Sequence, residues 1–325
     1  MTNFQVYKRT LPISIVSFLV DLLSLAIIIG FATGGFFIAN SSSDKALIGL
    51  VVGLFIGVIV VIFISIFISN RIKAAQIAMM TRGVVEGELP NHVFVNGMKE
   101  VSGRFGTITL FFFITNAIKS IFNQLLRAIN AIGTAVGGDT GNAVTSAINT
   151  VVQIIINYLS DCCLGWVLYR KEENAAKAAC EGAAIFFRSG KTFFKNAGRI
   201  FGIGLLSLAV IAGGLFGAFY LIFIQFPQMF EIFASEIAEA AARGSAEISP
   251  IIMDPTNLLL ITAALGAFIL WAFIHNVFIH PFILVGVLRN FMAEGRKNIP
   301  SEADIASLES KSPKLAKLRN KYKNI

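Results

Sequence analysis

Polar side chains recur at helical spacing inside two long apolar segments of the chain. In residues 105–134 they follow one another at steps of three or four, which places them along one face of a helix. A second stripe runs through residues 146–169. Side chains of these types can bind a polar solute or an ion, or hold two helices together. The stripes consist of Asn116, Lys119, Ser120, Asn123, Gln124, Arg127 and Asn130, and of Ser146, Asn149, Gln153, Asn157, Ser160 and Asp161.

These stripes cannot face lipid, because each unsatisfied amide in hydrocarbon costs several kcal/mol. One interpretation is a polar cavity or translocation path between the two segments. A second is a hydrogen-bonded helix interface, and a third is that the first segment tilts into the membrane interface. Under the first interpretation, the candidate path residues are Asn116, Lys119, Asn123, Arg127, Gln153, Asn157, Tyr158, Asp161 and Trp166.

Depth along the helices predicts a charged pair. At 1.5 Å per residue, Lys119 lies about 21 Å from the inner end of its segment, and Asp161 lies about 13 Å from the inner end of the next. A lysine side chain spans much of that difference, so we expect a Lys119–Asp161 ion pair, with Asp21 as the competing acid. Asp21 and Asp161 are also candidate proton or ion sites, since ionisable groups inside spans point to function. The alternative for both is a structural hydrogen bond to a neighbouring helix.

Signals of catalysis and metal binding are weak in this chain. His275 and His280 are five residues apart, so they do not share a helix face as a zinc-binding pair would. The adjacent Cys162 and Cys163 lie in an apolar helix, which is typical of small core residues. We find no glycine-rich phosphate loop and no nucleophile elbow. The sequence predicts a protein that is not an enzyme, with no metal and no cofactor.

The elements that carry these residues are membrane helices. Of 325 residues, 55% are apolar and 14% are charged, with a mean hydropathy of +0.74. Soluble domains are about 45–50% apolar and about 25% charged. A span needs about 20 apolar residues, and no segment shows the alternation of a membrane barrel. The sequence predicts an all-α, polytopic integral membrane helical bundle with about six spans, at 11–39, 46–69, 105–134, 146–169, 200–226 and 256–288.

The distribution of Lys and Arg predicts the orientation. With six spans and an inner N-terminus, 23 of the 27 Lys and Arg residues fall on the inner side and 2 fall on the outer side. This asymmetry favours cytoplasmic N- and C-termini in a multi-pass protein of the cell membrane. The net charge of +8 is then the charge of a surface that meets anionic lipid of the inner leaflet, rather than a nucleic-acid site.

Four regions follow from this pattern. Residues 1–69 form a two-span hairpin, 70–104 a cytoplasmic amphipathic segment, 105–290 a four-span core, and 291–325 a basic cytoplasmic tail. Within the core, 170–196 has a basic face and a phenylalanine face, which is typical of a helix that lies in the inner interface. The alternative is a cytoplasmic extension packed on its neighbours.

Several stretches after Val101 resemble those of a known family. They are SGRFGTITLFFFITNAIKSIF, Asn157-Tyr158, Asp161-Cys162-Cys163, Tyr169, AAKAACEGAAIFFRSGKTFFKN, LVGVLRNFMAEG and SLESKSPKLAKLRNK. In their order they resemble the choline transporter-like family, over roughly residues 101–321. The family's members have more spans and a large extracellular region, and residues 11–69 show no resemblance.

The resemblance implies transport of a choline-like solute. A quaternary ammonium needs aromatic faces near an acid, and Tyr158, Trp166 and Trp271 with Asp161 are candidates by type and depth. The alternative for the aromatic residues is packing or interfacial anchoring.

Two functions are therefore expected. The first is a transporter that moves a small polar or cationic solute between the third and fourth spans. The second is a non-transport membrane scaffold or assembly partner that acts through the basic helix 170–196 and the tail. A homo-oligomer or a protein partner fits either function.

Overall fold

The computed structural model of the protein describes residues 1–42, 46–106, 108–134, 141–194, 197–244, 254–308 and 312–323. Within these ranges every regular element is helical. The first seven helices are α1 (Asn3–Ser42), α2 (Ala46–Ile64), α3 (Asn70–Val85), α4 (Val93–Phe105), α5 (Ile108–Thr134), α6 (Gly141–Tyr169) and α7 (Ala175–Phe194). The next seven are α8 (Ala197–Ser207), α9 (Gly213–Phe223), α10 (Pro227–Gly244), α11 (Pro255–Ile274), α12 (His280–Lys297), α13 (Glu302–Ser307) and α14 (Pro313–Lys323).

Three of the junctions between these helices are single π-helical turns rather than breaks. Ser65–Ser69 joins α2 to α3, Leu208–Ala212 joins α8 to α9, and His275–Ile279 joins α11 to α12. Each pair therefore runs as one long helix with a local widening of the backbone.

Four continuous helices are long and apolar enough to cross a bilayer. They are Asn3–Ala39, Ile48–Val85, Ile200–Phe223 and Pro255–Lys297. Their apolar side chains are largely exposed within the protein, as expected where lipid is the solvent. The prediction of an all-α, polytopic integral membrane helical bundle is confirmed, and these helices contain most of the predicted spans 11–39, 46–69, 200–226 and 256–288.

The predicted third and fourth spans have no such helix. The third was expected to begin at 105, where the chain instead bends by 86° between Val93–Phe105 and Leu110–Ile121. Gly106 ends α4 there with a φ of +63°, a conformation that glycine adopts without strain. In the fourth, the described apolar stretch Ile154–Tyr169 is the C-terminal part of α6, which runs 29 residues from Gly141 to Tyr169. Counting the bent pair as one broken span gives five candidate spans in the described residues, where the sequence predicts about six.

Helix α5 contacts the C-terminal tail through one side chain. Gln124 Oε1 accepts hydrogen bonds from Ser312 Oγ at 2.7 Å and from the Lys314 backbone N–H at 3.2 Å. If α5 crossed the bilayer from residue 105, Gln124 would lie about 28 Å from the inner end. The contact with the tail is the one that the interpretation of a tilted, non-crossing segment expects.

The charge asymmetry agrees with four crossings. Removing two spans keeps both termini on the same side, so the rest of the positive-inside assignment is unchanged. Lys119 and Arg127 then join the inner side, which raises the ratio of inner to outer Lys and Arg from 23:2 to 25:2.

The chain divides into two compact units. One comprises Phe201–His280 and the other comprises Met1–Ile200 together with Pro281–Ile325. In the unit 201–280, α9 packs against α11, and the amphipathic α10 buries Phe230 and Ala234. Asp254 starts α11 by accepting hydrogen bonds from the backbone N–H groups of Thr256 and Asn257.

The other unit has a dense helical core. Helices α3, α6 and α12 contribute large buried side chains to it, among them Met79, Trp166 and Phe291. Helix α7 is buried along most of 175–186, including Glu181, which is 1% exposed. Residues 175–186 are therefore packed on their neighbours, as the alternative of an extension packed within the protein expects. An amphipathic pattern fits either environment, and only the packing decides between them.

Glycine allows close approach of α1 and α2. A β-carbon at Gly53 would overlap the carbonyl oxygen of Phe31, and one at Gly49 would overlap that of Gly35. By contrast, Gly34 on the same hairpin has open space around it. Small residues let membrane helices pack backbone to backbone, so the hairpin depends on particular glycines.

We expect Gly53→Ala to destabilise the protein, because the added methyl group forces α1 and α2 apart. Overpacking of this kind costs about 1–3 kcal/mol. The matched control Gly34→Ala places the same methyl group in open space and gains helix propensity, so its melting temperature should stay equal or rise slightly. Thermal unfolding in detergent measures both, and equal melting temperatures would contradict the glycine-dependent contact.

We expect a cysteine at Gly141, the first residue of α6, to react with an impermeant maleimide only after cells are permeabilised. Four crossings keep this position inside, whereas six would place it outside. Exposed controls are Thr256→Cys, expected outside, and Lys317→Cys, expected inside; the native cysteines are buried. Labelling of Gly141→Cys in intact cells would support the six-span topology.

Candidate functional site

A polar cavity of about 80 Å³ lies among α3, α5 and α6. Its aromatic wall is formed by Phe111 and Phe112. Its polar wall consists of Asn70, Lys73, Thr115, Asn116, Lys119, Ser160 and Asp161. This is a concentration of charge beside helices that are otherwise apolar.

Helix α5 is oriented by its apolar stripe. Phe111, Ile114, Ile118 and Ile121 recur at steps of three and four residues and are all buried. The opposite stripe, which includes Asn116 and Lys119, is therefore turned outward, and these two side chains are exposed. Hydrophobic burial thus fixes which α5 residues reach the cavity wall.

The charged centre of the cavity is an ion pair between α3 and α6. Lys73 Nζ lies 3.0 Å from Asp161 Oδ2. Asp161 is 8% exposed as a residue, whereas the Lys73 side chain is 50% exposed. The pair therefore couples a nearly buried carboxylate to an ammonium that still reaches solvent.

The predicted Lys119–Asp161 pair is corrected by this contact. Lys119 does lie on the wall of the same cavity, but the ion pair that the structure shows for Asp161 is with Lys73. Lys73 belongs to the segment 70–104, which the sequence assigned to the cytoplasm. The prediction compared only the depths of residues in the two predicted spans, so it could not include Lys73.

The structure brings Asn116, Lys119 and Asp161 together at the cavity. Asn123 and Asn157 are exposed but lie outside its wall. The side chains of Arg127 and Gln153 fall outside the described part of the protein. Three of the predicted path residues therefore line this cavity.

The aromatic candidates are not on the wall of this cavity. Tyr158 and Trp166 are both buried, and neither lines the cavity. Trp271 belongs to the unit 201–280, where its Nε1 donates to Ser207 Oγ at 3.3 Å. Asp21 is half-buried on α1 and is also not on the cavity wall.

Trp166 has a structural partner that the sequence did not reveal. Its Nε1 donates to Glu181 Oε2 at 2.9 Å, and Arg170 Nε donates to the same oxygen at 3.3 Å. A buried carboxylate needs such partners, since an unpaired charge in the core is costly. The only sequence signal is a glutamate set among small residues in AACEGAA, which is a weak one.

Two neighbours of this network have perturbed pKa values. A hydrogen bond from Lys177, with the positive charges of Lys177 and Arg170, lowers the pKa of Glu173. The same hydrogen bond and the Glu173 charge raise the pKa of Lys177. Both groups are therefore ionised at neutral pH and join the turn after α6 to the start of α7.

Metal binding finds no support in the described residues. In the ranges given above, no three His, Cys, Asp or Glu side chains gather where they could hold a metal ion. His275 lies in a π-helical turn and packs against Trp271 in a tilted arrangement, with ring centroids 5.1 Å apart and an interplanar angle of 42°.

Fold and cavity together define a polytopic helical membrane protein with a charged site bordered by three helices. No family model, curated protein or solved structure matches the chain. The resemblance to the choline transporter-like family therefore stays a prediction from the residues.

We expect Lys73 and Asp161 to be coupled in a double-mutant cycle of Lys73→Met and Asp161→Asn. The coupling should be about 1 kcal/mol, because exposure of Lys73 screens the pair. Lys73→Met should cost more than Asp161→Asn, since it leaves a nearly buried carboxylate without its counter-ion. The measurement is thermal or denaturant unfolding in detergent.

The matched comparison is a cycle of Lys119→Met with Asp161→Asn. Lys119 shares the cavity without the 3.0 Å contact, so its coupling to Asp161 should be weaker. A stronger coupling to Lys119 than to Lys73 would support the pair predicted from depth.

Proposed function

We propose that the protein is a multi-pass transporter of the cell membrane that binds a small polar solute at the cavity among α3, α5 and α6. The observation that carries this proposal is the Lys73–Asp161 ion pair on the wall of that cavity. Ionisable residues of membrane helices that pair with one another and line a cavity commonly mark solute or ion sites.

The backbone near the cavity supports the same proposal. The π-helical turn Ser65–Ser69 immediately precedes Asn70 and Lys73, two residues of the polar wall. Single π-helical turns are rare and occur frequently at functional sites. The second span therefore widens just before it contributes to the cavity.

The balance of charge favours certain solutes. The wall holds two ammonium groups, Lys73 and Lys119, and one carboxylate, Asp161. A bare cation such as choline would meet a net positive site. Choline in this cavity would also have no contact with the aromatic faces of Tyr158 and Trp166, because both rings are buried away from the cavity wall. We therefore propose a solute that carries an anionic oxygen group, either an anion or a zwitterion.

The scaffold alternative draws less support from the packing. Residues 175–186 of α7 are largely buried, and the tail buries Leu315 and Leu318. Both segments are therefore engaged within the chain. The exposed Lys314 and Lys317 of the tail suit contact with anionic lipid.

We expect a zwitterion such as glycine or glycine betaine to stabilise the detergent-purified protein more than choline does. A ligand at 100 times its dissociation constant stabilises by about 2.7 kcal/mol, which a thermal unfolding assay detects. Lys119→Met should weaken the effect, because it removes one of the two ammonium groups that meet the anionic oxygen.

The matched control is Lys99→Met, which removes an exposed lysine of α4 that does not line the cavity. Uptake of the best-binding solute into proteoliposomes then tests transport itself. Stabilisation by choline alone would favour the choline-like solute. Binding without uptake would indicate a receptor or scaffold rather than a transporter.

A further inference from the structure

The cavity wall carries two positive charges and one negative charge. Lys73 and Lys119 contribute two ammonium groups, Asp161 contributes one carboxylate, and Asn70 and Asn116 contribute amide groups that can donate or accept hydrogen bonds. The Thr115 hydroxyl is already directed to the carbonyl oxygen of Phe111 at 2.9 Å. A ligand that complements the charge of this wall carries an anionic group.

Asp161 limits how positive the cavity wall is toward an anionic ligand. Its carboxylate balances one of the two ammonium charges, which leaves a net charge of about +1 at the wall. By holding Lys73 at 3.0 Å, it also fixes that ammonium group in place. The remaining donors of Lys73 and those of Lys119 suit a single phosphate or carboxylate group, since lysine binds phosphate as a point charge.

The size of the cavity excludes most whole solutes. Its volume is about 80 Å³, whereas sites that enclose a drug-sized ligand measure about 300–1,000 Å³. One water molecule occupies about 30 Å³ of the liquid, so the space holds two to three waters or one small anionic group. The rest of a larger ligand would have to remain outside the cavity.

The surface next to the cavity is apolar and suits lipid. Phe112, on the cavity wall, contacts Phe67 of the second span with ring centroids 6.3 Å apart. Phe67 in turn stacks on Phe63, and both of these rings are exposed. A continuous aromatic surface therefore leads from the charged cavity onto the lipid-facing side of the span.

The helix itself marks the level of the membrane boundary at this point. Phe63, Phe67 and Ile68 are exposed, whereas the residues from Ala74 to Thr81 are buried in the helical core. Asn70 and Lys73 fall at the change from lipid-facing to protein-facing surface. This is the depth at which phospholipid head groups lie.

We propose that the cavity binds the phosphate group of an inner-leaflet phospholipid, with the acyl chains lying against Phe67 and Phe63. The inference rests on the proposed function in one respect, that the cavity is the ligand site. It goes beyond the small polar solute by naming a second class of ligand for the same cavity, a phosphate ester with an apolar tail.

Three probes separate the phosphate from the tail in thermal unfolding of the protein in a nonionic detergent. Dioctanoyl phosphatidic acid carries both parts, dioctanoylglycerol carries the tail alone, and glycerol phosphate carries the phosphate alone. We expect a saturable rise in melting temperature with the first probe only.

Substitutions place the effect at the cavity. Lys119→Met should weaken the apparent affinity for dioctanoyl phosphatidic acid at least about tenfold, because a charged hydrogen bond is lost. Lys119→Arg should retain most of it, and Lys99→Met should leave it unchanged. Lys119 is exposed, so these changes leave the buried core intact.

Each other outcome overturns the inference in a recognisable way. An equal rise with glycerol phosphate would show a site for soluble phosphate, and an equal rise with dioctanoylglycerol would show a site for the tail. An equal loss in Lys99→Met would show general surface attraction. Stabilisation by a zwitterionic solute alone would overturn the lipid ligand but keep the proposed function, whereas no shift with any probe or solute would overturn both.

Discussion

The long helices of this protein pass from a lipid environment into a protein core, and the rest of the structure follows from that constraint. In lipid, a helix hydrogen-bonds its own backbone and presents apolar side chains outward. Where it leaves the hydrocarbon, the same apolar surface must be buried on protein. The helix Ile48–Val85 makes this change near Asn70, since Phe67 is exposed and Ala74 is fully buried. The start of α1 and the end of α12 supply further buried residues, such as Val6 and Phe291.

The core formed in this way contains polar groups that only tertiary partners can stabilise. Glu181 is satisfied by Trp166 and Arg170, and Gln76 donates to Ser14 at 2.6 Å between α3 and α1. Arg104 Nε donates to the carbonyl oxygen of Val167, near the end of α6, at 2.8 Å. A buried polar group costs little when its hydrogen bonds are complete. Removing one partner leaves a buried charge or donor unsatisfied. The polar residues near the apolar helices are therefore divided between those that hold the core and those that line the cavity.

The cavity lies where these two environments meet. Lys73 can reach solvent while Asp161 is almost buried, so the ion pair joins the surface to the core. Its neighbours on α5 are set by the burial of Phe111 and Ile118, which turns Lys119 outward. A charged site at this level gives an anionic group access to fixed donors while an apolar group stays in lipid. That combination links the charge of the cavity to the aromatic surface of Phe112 and Phe67.

Sequence alone determined the class of protein, because composition, span length and the Lys and Arg asymmetry are direct consequences of a bilayer as solvent. It located the four continuous helices, and it identified Asn116, Lys119 and Asp161 as residues of interest. It could not distinguish a crossing helix from an amphipathic one packed on protein, since 105–134 and 170–196 carry patterns that suit both.

Only the tertiary structure decided that α5 meets the tail through Gln124, that α7 is buried, and that Asp161 pairs with Lys73. These are contacts between residues far apart in the chain, and helical periodicity contains no information about which distant segment lies opposite a given face.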